Sequence, residues 1–545
     1  RHRLVALIDS DVGYANLCRL LSQLHRNTEL DLPTSLPSFS EGLQFLLTDT
    51  TLAACLLATP SLSDRLWLAL DPSTQSRSQI LSLLRFSSQN RMPLTASGAG
   101  LFLHPGDLPT ARLLAAIRLG TTYDNVPGHE LPPPGAMLRR PEELARQLAE
   151  FSAAVANNRR LADRCEGFRL LPRQPVFPAF DAPGGELLRL CRAGAVRRYG
   201  ASLPDGLEAR LQRELLLIEK KNFTGYFLVV WDIVRFARGR NAPVAGRGSG
   251  ASSLVAYLLG ITNVCPLAHR IPFERFLNEG RQDYPDLDVD FCWRIRDEVI
   301  DYALGRWGDG RAAMVCTHGT FQPTSALRET AKAFGMSDEQ ISTVTREGEW
   351  EGGVVELGGK KTPPTAVGGR WGEGGRWGRI VELARGLEGL LHTISVHPGG
   401  IVIAPDGIDA HAPTQLAAKG VTVTQYDKDG VEAVGLVKID LLGNRSLSTI
   451  RAATDLVASR TGERLDIESL PGGDGPTIAM LQAGDTIGCN QLESTAMRSL
   501  LRAIRPEGTG DLMKALALIR PGAASLGMKD AFIRRHRGLE PVPPI

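Results

Sequence analysis

A run of alternating acidic and apolar residues, Pro285-Asp-Leu-Asp-Val-Asp-Phe291, constrains the local fold more than any other segment of this chain. In a β-strand, residues i and i+2 lie on the same face. The pattern therefore predicts a strand with Asp286, Asp288 and Asp290 on one face and the apolar residues between them facing a core. Aligned carboxylates repel one another unless a cation lies between them, so the stripe suits an oxygen-ligated divalent metal such as Mg²⁺. From this spacing alone, an edge strand with a solvated acidic face is an equal alternative.

A glycine-rich segment, Gly246-Arg-Gly-Ser-Gly-Ala-Ser-Ser253, precedes an apolar helix predicted at 254–259. Glycines let the backbone approach an anion closely, and the amides at a helix start point toward it. Ser249 adds a hydroxyl group and Arg247 a positive charge. The segment is neither a P-loop nor a Gly-x-Gly-x-x-Gly motif. It predicts either an anion site or a simple helix-capping turn.

Lys438 and Asp440 belong to the segment Gly435-Leu-Val-Lys-Ile-Asp-Leu441, within a strand predicted at 434–441. Their spacing places both side chains on one face of that strand. A carboxylate beside a lysine is usually an ion pair. Combined with the acidic stripe and the glycine-rich segment, the pair would instead supply a third metal ligand and a phosphate-binding cation. Nucleotidyl transfer by two metal ions requires such a set.

The order of these segments resembles that of the bacterial C-family DNA polymerases, the DNA polymerase III alpha-subunit family. Other segments similar to this family occur in the same order over residues 205–540: Phe273-Glu-Arg-Phe-Leu-Asn278, His397-Pro-Gly-Gly-Ile-Val-Ile403, Thr424-Gln-Tyr-Asp-Lys-Asp-Gly430, Val437-Lys-Ile-Asp-Leu-Leu-Gly443, Gln491-Leu-Glu-Ser494 and Ala517-Leu-Ile-Arg-Pro-Gly522. The tail from Arg520 to Arg535 resembles the error-prone, damage-tolerant branch of the family.

The resemblance implies an α/β multidomain chain. A partial PHP-like α/β domain (polymerase and histidinol phosphatase) would precede a palm like that of polymerase-beta-like nucleotidyltransferases, a helical thumb and the start of helical fingers. The implied limits are 1–130 for a partial, degenerate PHP-like domain and 131–204 for a connector. The palm would comprise 205–317 and 395–444. Between its two parts, 318–394 would form the thumb, with a Gly-rich, flexible insertion at 351–378, and 445–545 would form truncated fingers.

The same resemblance implies roles for individual residues. The expected catalytic residues, which would also hold two Mg²⁺ ions, are Asp286, Asp288 and Asp440, with Asp290 more dispensable. Those expected to bind the triphosphate are Gly248, Ser249, Arg275 and Lys438. Candidate further contacts to nucleotide or DNA are Arg247, Gln425, Asp427, Gln491, Ser494 and Arg520.

The function implied by the resemblance is template-directed transfer of deoxynucleotides to a primer 3′ end, in error-prone synthesis during damage tolerance. Primer–template DNA and deoxynucleoside triphosphates would be the substrates, and a sliding clamp and other damage-response polymerase factors are candidate partners. One alternative is a catalytically silent, DNA-binding member of the same family. Another is a nucleotidyltransferase that modifies a small molecule or RNA, a class that shares the acidic palm but not the ordered fingers segments.

The chain departs from the family in several places. Where the PHP domain has an Asp-Val-His element, this sequence reads Ala96-Ser-Gly-Ala-Gly-Leu101. We therefore predict no PHP metal site and no proofreading nuclease, with His104 a surface residue. Asn490 replaces the aromatic residue expected before Gln491, a change that bears on fingers packing or base stacking. The absence of an initiator Met and an end within the fingers indicate a fragment.

Composition favours a cytoplasmic protein over a secreted or membrane protein. The eight cysteines are scattered without a Cys-x-x-Cys pair, so a disulfide framework or zinc knuckle is not expected. No apolar run reaches membrane-spanning length. A net charge of +2 means that any DNA-binding surface must be a local basic region balanced by acidic regions elsewhere.

Overall fold

The structure, a computed structural model, describes residues 4–26, 30–98, 100–182, 184–280, 287–308, 310–347, 376–470, 473–519 and 527–542. Three predicted features fall outside these ranges: Asp286, Arg520 and residues 351–375 of the predicted insertion. The described chain is a mixed α/β structure with two β-sheets and many helices.

The first sheet has four strands in the order β1-β2-β3-β4. These strands are β1 (Leu4–Ile8), β2 (Leu43–Leu47), β3 (Leu66–Leu70) and β4 (Leu94–Ala96). The connecting helices are α1 (Asp11–Arg26), α2 (Leu32–Ser35), α3 (Thr50–Leu57) and α4 (Arg77–Asn90). β1 is antiparallel to β2, and the other pairs are parallel. The central strands β2 and β3 are almost wholly buried, as expected where both faces of a sheet are covered.

Three helices follow the small sheet and belong to two different cores: α5 (Leu108–Leu119), α6 (Pro141–Gln147) and α7 (Ser152–Cys165). α7 packs on β4, where the side chain of Asn158 bonds both the N–H and the C=O of Ala96 at 2.9 Å. α5 instead buries Leu113 and Ala116 against helices from residues 321–387. Packing thus crosses the predicted limits at residues 130 and 131–204, and the domain limits themselves stay predictions.

The second sheet has seven strands in the order β5-β6-β11-β8-β7-β10-β9. They are β5 (Val244–Gly246), β6 (Val289–Cys292), β7 (Ala312–Thr320), β8 (Leu391–Ile403), β9 (Thr414–Leu416), β10 (Thr422–Thr424) and β11 (Lys438–Asn444). β6 and β11 are parallel neighbours, and β8 pairs antiparallel with both β11 and β7.

One face of this sheet is covered by helices α8 (Glu186–Tyr199), α9 (Leu207–Lys220), α10 (Thr224–Gly239), α11 (Leu254–Leu258) and α12 (Arg296–Arg306). The apolar strand residues that face them include Val289, Phe291, Ile439 and Leu441. Alternate positions lie on the opposite face: Asp288, Asp290, Lys438 and Asp440. Elsewhere that opposite face is covered by α1 and by α16 (Lys428–Ala433), which leaves the charged positions at its β6–β11 side.

The strand predicted at 434–441 begins later than expected, at Lys438. The side chain of Asp427 accepts a hydrogen bond from the Gly430 amide at 3.0 Å and thereby caps α16. Because this helix continues to Ala433, the residues after it form the turn into β11. The predicted start of the strand was therefore wrong, whereas the shared face of Lys438 and Asp440 is confirmed.

Between β7 and β8 the chain forms α13 (Pro323–Ala333), α14 (Asp338–Glu347) and α15 (Arg376–Leu387). α13 and α15 share a core with α5. Residues 376–378, predicted as the end of the flexible insertion, instead begin α15, and Trp377 is buried in this core.

The C-terminal part is helical: α17 (Arg445–Thr461), α18 (Gly475–Ala483), α19 (Thr495–Ile504), α20 (Thr509–Leu518) and α21 (Met528–His536). Glu468 attaches this part to helices α8 and α10, because its carboxylate pairs with Arg198 and Arg238 at 2.5 and 2.9 Å. Burial raises the pKa of Glu468, but the two guanidinium groups outweigh it and hold this pKa below its usual range. The described helices include none with an apolar stretch that could span a lipid bilayer.

Candidate active site

Two predicted carboxylates are brought together by the pairing of β6 with β11. Leu441 pairs with Val289 and Leu442 with Asp290 in parallel register. Asp440 and Asp288 each precede the Leu441–Val289 pair by one residue, so they are neighbours on the face away from the helices. Adjacent strands lie about 4.8 Å apart. This spacing allows the two carboxylates to share a ligand.

The two carboxylate oxygens of Asp440 differ in their hydrogen bonding. Its Oδ2 accepts a hydrogen bond from Lys438 Nζ at 2.5 Å. Its Oδ1 is buried and has no hydrogen-bond partner among the described residues. A buried carboxylate oxygen without a partner costs free energy, so it calls for an explanation such as a ligand or ion. The oxygen donor set here fits a hard divalent cation.

Within the described ranges, no three His, Cys, Asp or Glu side chains are grouped closely enough to hold a metal ion. The predicted third ligand, Asp286, lies outside those ranges. The predicted three-carboxylate set is therefore represented by two of its members, Asp288 and Asp440.

Asp290, the third aspartate of the stripe, takes part in structural contacts. Its Oδ2 accepts a hydrogen bond from Asn444 Nδ2 at 3.0 Å, and Asn444 is the N-cap residue of α17. Its Oδ1 lies 3.7 Å from Arg247 Nε, which is also 3.8 Å from Asp288 Oδ2. Arg247 thus partly offsets the repulsion between the two carboxylates, and Asp290 ties the sheet to the C-terminal helices.

The glycine-rich segment forms a 3₁₀ turn, Gly248–Ser252, directly beside the acidic strand. Arg247 N donates to Asp288 O at 3.0 Å. Gly248 has a φ of +67°, and a Cβ there would be 3.5 Å from Asp288 Oδ2. The structure therefore places the predicted phosphate-binding residues Gly248 and Ser249 next to the predicted metal ligand Asp288.

The amides at the start of α11 are not available to a phosphate, contrary to the expectation that they would bind one. The carboxylate of Glu214 occupies them, with Leu254 N and Val255 N at 3.1 and 3.2 Å from its oxygens. Glu214 is completely buried. Burial raises its pKa, while the guanidinium of Arg210 and the two amides act in the opposite direction. An internal carboxylate thus fills the anion position of this helix, and only the preceding turn faces the site.

Arg275 lies at the end of a 3₁₀ turn, Phe273–Arg275, in which Phe273 is buried and Arg275 is exposed. This turn packs against the Gly248–Ser252 turn. The two segments with predicted triphosphate contacts are therefore adjacent.

Gln425 and Asp427, candidate nucleotide or DNA contacts, lie beyond the end of β10, which is three strands away from β11. Both contact His318: its Nε2 is 2.9 Å from Gln425 O, and its Nδ1 is 3.8 Å from Asp427 Oδ2. The structure thus groups these residues with one another and not with Asp440.

Gln491 and Ser494 belong to the C-terminal helical part. Gln491 has a φ of +64°, and the Ser494 hydroxyl accepts a hydrogen bond from Met497 N at 3.2 Å as the N-cap of α19. Asn490 lies in the turn before them. In the N-terminal part, His104 is exposed, which confirms its prediction as a surface residue.

His397 is a site residue that the sequence reasoning did not single out. Its Nδ1 accepts hydrogen bonds from Gly400 N at 2.7 Å and Gly399 N at 3.3 Å. Gly400 pairs with Asp440 across β8 and β11, and a Cβ at Gly400 would lie 2.8 Å from His397 Nδ1 and 3.3 Å from Asp440 Oδ1. Burial lowers the pKa of His397. The available signal was its position two residues before Gly399-Gly400, whose buried amides need a hydrogen-bond acceptor from a nearby side chain.

Two family models match parts of this chain. Residues 185–443 match the model of the bacterial DNA polymerase III alpha NTPase domain. Residues 446–545 match that of the bacterial DNA polymerase III alpha subunit finger domain. The first match contains all but the last residue of the seven-stranded sheet, and the second contains nearly all of the C-terminal helices.

Similar proteins carry corresponding names. The chain is 38% identical over 417 residues to an error-prone DNA polymerase from Symbiobacterium thermophilum, covering 74% of this chain and 37% of that protein. It is 32% identical over 562 residues to the DNA polymerase III subunit alpha of Bacillus subtilis, covering 99% of this chain and 50% of the relative. An error-prone DNA polymerase from Pseudomonas syringae pv. syringae is 33% identical over 571 residues, with 99% and 54% covered. The chain thus spans about half the length of the curated relatives it matches, and it belongs to the bacterial DNA polymerase III alpha-subunit family.

Proposed function

We propose that this chain carries the catalytic centre of a template-directed DNA polymerase that adds deoxynucleotides to a primer 3′ end. The register of β6 with β11 carries the proposal, because it sets Asp288 beside Asp440 on one face of the sheet. Membership of a family whose similar members are named DNA polymerases supports it. The finger-domain match also supports the proposal, because a nucleotidyltransferase acting on small molecules would not require such a domain.

Asp288 and Asp440, together with Asp286, are the residues that would hold two Mg²⁺ ions. The partnerless Oδ1 of Asp440 suits this role, because magnesium prefers carboxylate oxygens and a few such ligands suffice. Bound Mg²⁺ would supply Lewis acidity that lowers the pKa of the primer 3′-hydroxyl and offsets charge on the leaving pyrophosphate.

The remaining residues of the site would position the nucleotide and balance its charge. Gly248 and Ser249 would hold phosphate oxygens through the turn backbone and the serine hydroxyl. Lys438 and Arg275 would neutralise the triphosphate, Lys438 from its place 2.5 Å from Asp440. Phosphoryl transfer needs little covalent chemistry from the protein, so this positioning and charge would be its main contribution.

DNA would be held mainly through its phosphates and largely independently of sequence. We retain as proposed contacts to nucleotide or DNA the residues Arg247, Gln425, Asp427, Gln491, Ser494 and Arg520. We also propose that the four-stranded sheet belongs to a partial PHP-like domain without a metal site.

An error-prone role in damage tolerance is the finer part of the proposal. The tail from Arg520 to Arg535 supports it, as do the names of several similar proteins. A sliding clamp and other damage-response factors are candidate partners that stay predictions. All eight cysteines are free, in keeping with a reducing cytoplasm.

A catalytically silent DNA-binding protein is the second candidate, and one observation favours it. In the structure both described carboxylates already face a cation of the chain itself, Asp288 with Arg247 at 3.8 Å and Asp440 with Lys438 at 2.5 Å. Such pairs could hold the acidic residues together without any metal.

The two candidates are separated by single-nucleotide incorporation. The protein to use is this chain joined to the remaining segments that its longer relatives possess, here called the completed enzyme. We expect wild type to extend a primer and Asp440→Asn to lose about 10³-fold in rate, because metal-mediated charge stabilisation contributes several kcal/mol. DNA binding at fixed salt should stay within about twofold of wild type.

Asp163→Asn, which alters an exposed ion pair, is the matched control and should leave incorporation unchanged. A completed wild-type enzyme that binds primer–template normally but adds no nucleotide would establish the silent protein instead.

A further inference from the structure

A buried ion pair on α9 lies behind the proposed triphosphate site. Arg210 Nε donates to Glu214 Oε1 at 2.6 Å, one helical turn along. The side chain of Arg210 is 13% exposed and that of Glu214 is 0% exposed. Neither group can therefore reach a nucleotide or DNA phosphate, and any effect on catalysis must pass through the groups they touch.

Glu214 holds the end of the glycine-rich segment. Its two oxygens accept hydrogen bonds from Leu254 N, Val255 N and, at 3.0 Å, the Ser253 hydroxyl. α11 is buried along its whole length, so water cannot satisfy these amides, and an internal carboxylate takes its place. The position of residue 253 relative to α9 is fixed as a result.

Arg210 extends this attachment to a second segment. Its Nη2 donates to Ser252 O at 3.1 Å and to Ile271 O at 3.1 Å. Ser252 ends the turn that carries Gly248 and Ser249, while Ile271 stands just before the turn that carries Arg275. The guanidinium also lies 5.9 Å from the centre of the Phe273 ring. One planar side chain thus joins both segments that carry proposed triphosphate contacts.

We infer that Arg210 and Glu214 are positioning residues that set the spacing of the Gly248–Ser249 turn and Arg275 around the triphosphate. This inference rests on the proposed function, since it gives those segments a ligand. A rigid donor fork can bond a carboxylate and two carbonyls at once, whereas a lysine ammonium is a compact point charge on a flexible chain. Triphosphate binding should therefore depend on arginine at position 210 and not on positive charge alone.

The test is Arg210→Lys in the completed enzyme, measured by single-turnover incorporation of dATP together with thermal unfolding. Lysine preserves the ion pair with Glu214 but cannot span both carbonyl oxygens from the same place. We expect the apparent Kd for dATP to rise about tenfold, in keeping with the loss of one or two buried hydrogen bonds. The maximal rate and primer–template affinity should stay within about twofold, because uniform nucleotide binding is what is lost.

Arg189→Lys is the matched control. Arg189 also bonds a glutamate, Glu186, through two nitrogens at 2.7 Å, but it is 65% exposed on α8. This variant should leave the apparent Kd unchanged. The inference is overturned if Arg210→Lys binds dATP as wild type does, or if it lowers the maximal rate, DNA affinity and melting temperature together as a general loss of structure would. An inactive wild type would instead refute the proposed polymerase activity, so the two failures are distinct.

Discussion

In the four-stranded sheet, polar side chains near the strands are hydrogen-bonded to one another. In the seven-stranded sheet, one buried carboxylate oxygen has no hydrogen-bond partner among the described residues. Gln44, 3% exposed in β2, donates to Asp9 at 2.9 Å and accepts from Trp67 Nε1 at 3.0 Å and from Arg164 at 3.1 Å. Asp440 Oδ1 in the larger sheet has no such partner among the described residues.

Under the proposed function, this difference distinguishes groups that stabilise the fold from a carboxylate that would hold a ligand. A hydrogen-bonded buried network rigidifies its surroundings. An unsatisfied buried acceptor lowers the stability of the fold by about 1–3 kcal/mol and is retained where function requires it. The first sheet should therefore contribute to stability and the second to chemistry.

The largest expected effect separates two aspartates of the same stripe. In the completed enzyme, Asp288→Ala should lower incorporation by about 10³-fold, since it removes a proposed metal ligand. Asp290→Asn should lower it by about tenfold or less, because Asp290 bonds Asn444 and an amide retains an acceptor oxygen. Rapid-quench incorporation assays measure both. Equal losses in the two variants would remove the distinction between them.

A smaller loss is expected for Lys438→Ala. The lysine pairs with Asp440, and its interaction should strengthen as charge moves onto the leaving pyrophosphate. We expect a loss of about 2–4 kcal/mol in transition-state stabilisation, comparable with removal of one oxyanion donor, and little change in DNA affinity. Lys220→Ala, at an exposed pair with Glu279, is the control. Incorporation equal to wild type would exclude Lys438 from the site.

A stability effect without a catalytic effect is expected in the small sheet. Gln44→Ala leaves Asp9 and the Trp67 indole N–H without the partner that joins them. The free energy of local opening should fall by about 2 kcal/mol, measured by native-state amide hydrogen exchange of β1–β3. Incorporation by the completed enzyme should not change. A catalytic loss at constant exchange protection would contradict the division between the sheets.

No metal-dependent 3′ exonuclease activity is expected from the N-terminal part. With Mg²⁺ or Mn²⁺ present, the purified protein should leave a primer 3′ end intact, because the sequence lacks the His and Asp elements of a PHP site. Shortening of the primer that survives in Asp288→Ala but disappears on mutation within residues 1–130 would contradict this prediction.

Local sequence patterns were sufficient for several parts of the site. Alternation in residues 434–441 predicted that Lys438 and Asp440 share a strand face, because that period depends only on backbone geometry. The strand expected at residues 286–291 begins only at Val289, so Asp288 lies just before it. The helix predicted at 254–259 is present as α11. Its capping turn was also foreseen as one alternative, although the anion that occupies its amides is the protein's own Glu214.

Such local patterns could not predict contacts between residues that are distant in the sequence. The bond between Asp290 and Asn444 joins residues 154 positions apart, and the α9 contacts of Glu214 depend on tertiary placement. A carboxylate in the apolar stripe with Leu211 and Ile218 was the signal for a buried partner. The shared core of α5 with α13 and α15 could not be predicted either, since no local signal records which helices meet.

Whether Asp288 and Asp440 share metal ions can be determined from crystals of the completed enzyme with primer–template, a non-hydrolysable deoxynucleoside triphosphate and Mn²⁺. We predict two anomalous manganese peaks about 3.5–4 Å apart, each within coordination distance of a carboxylate oxygen of Asp288 or Asp440. Ordered DNA and nucleotide with no manganese between these two side chains would contradict the claim.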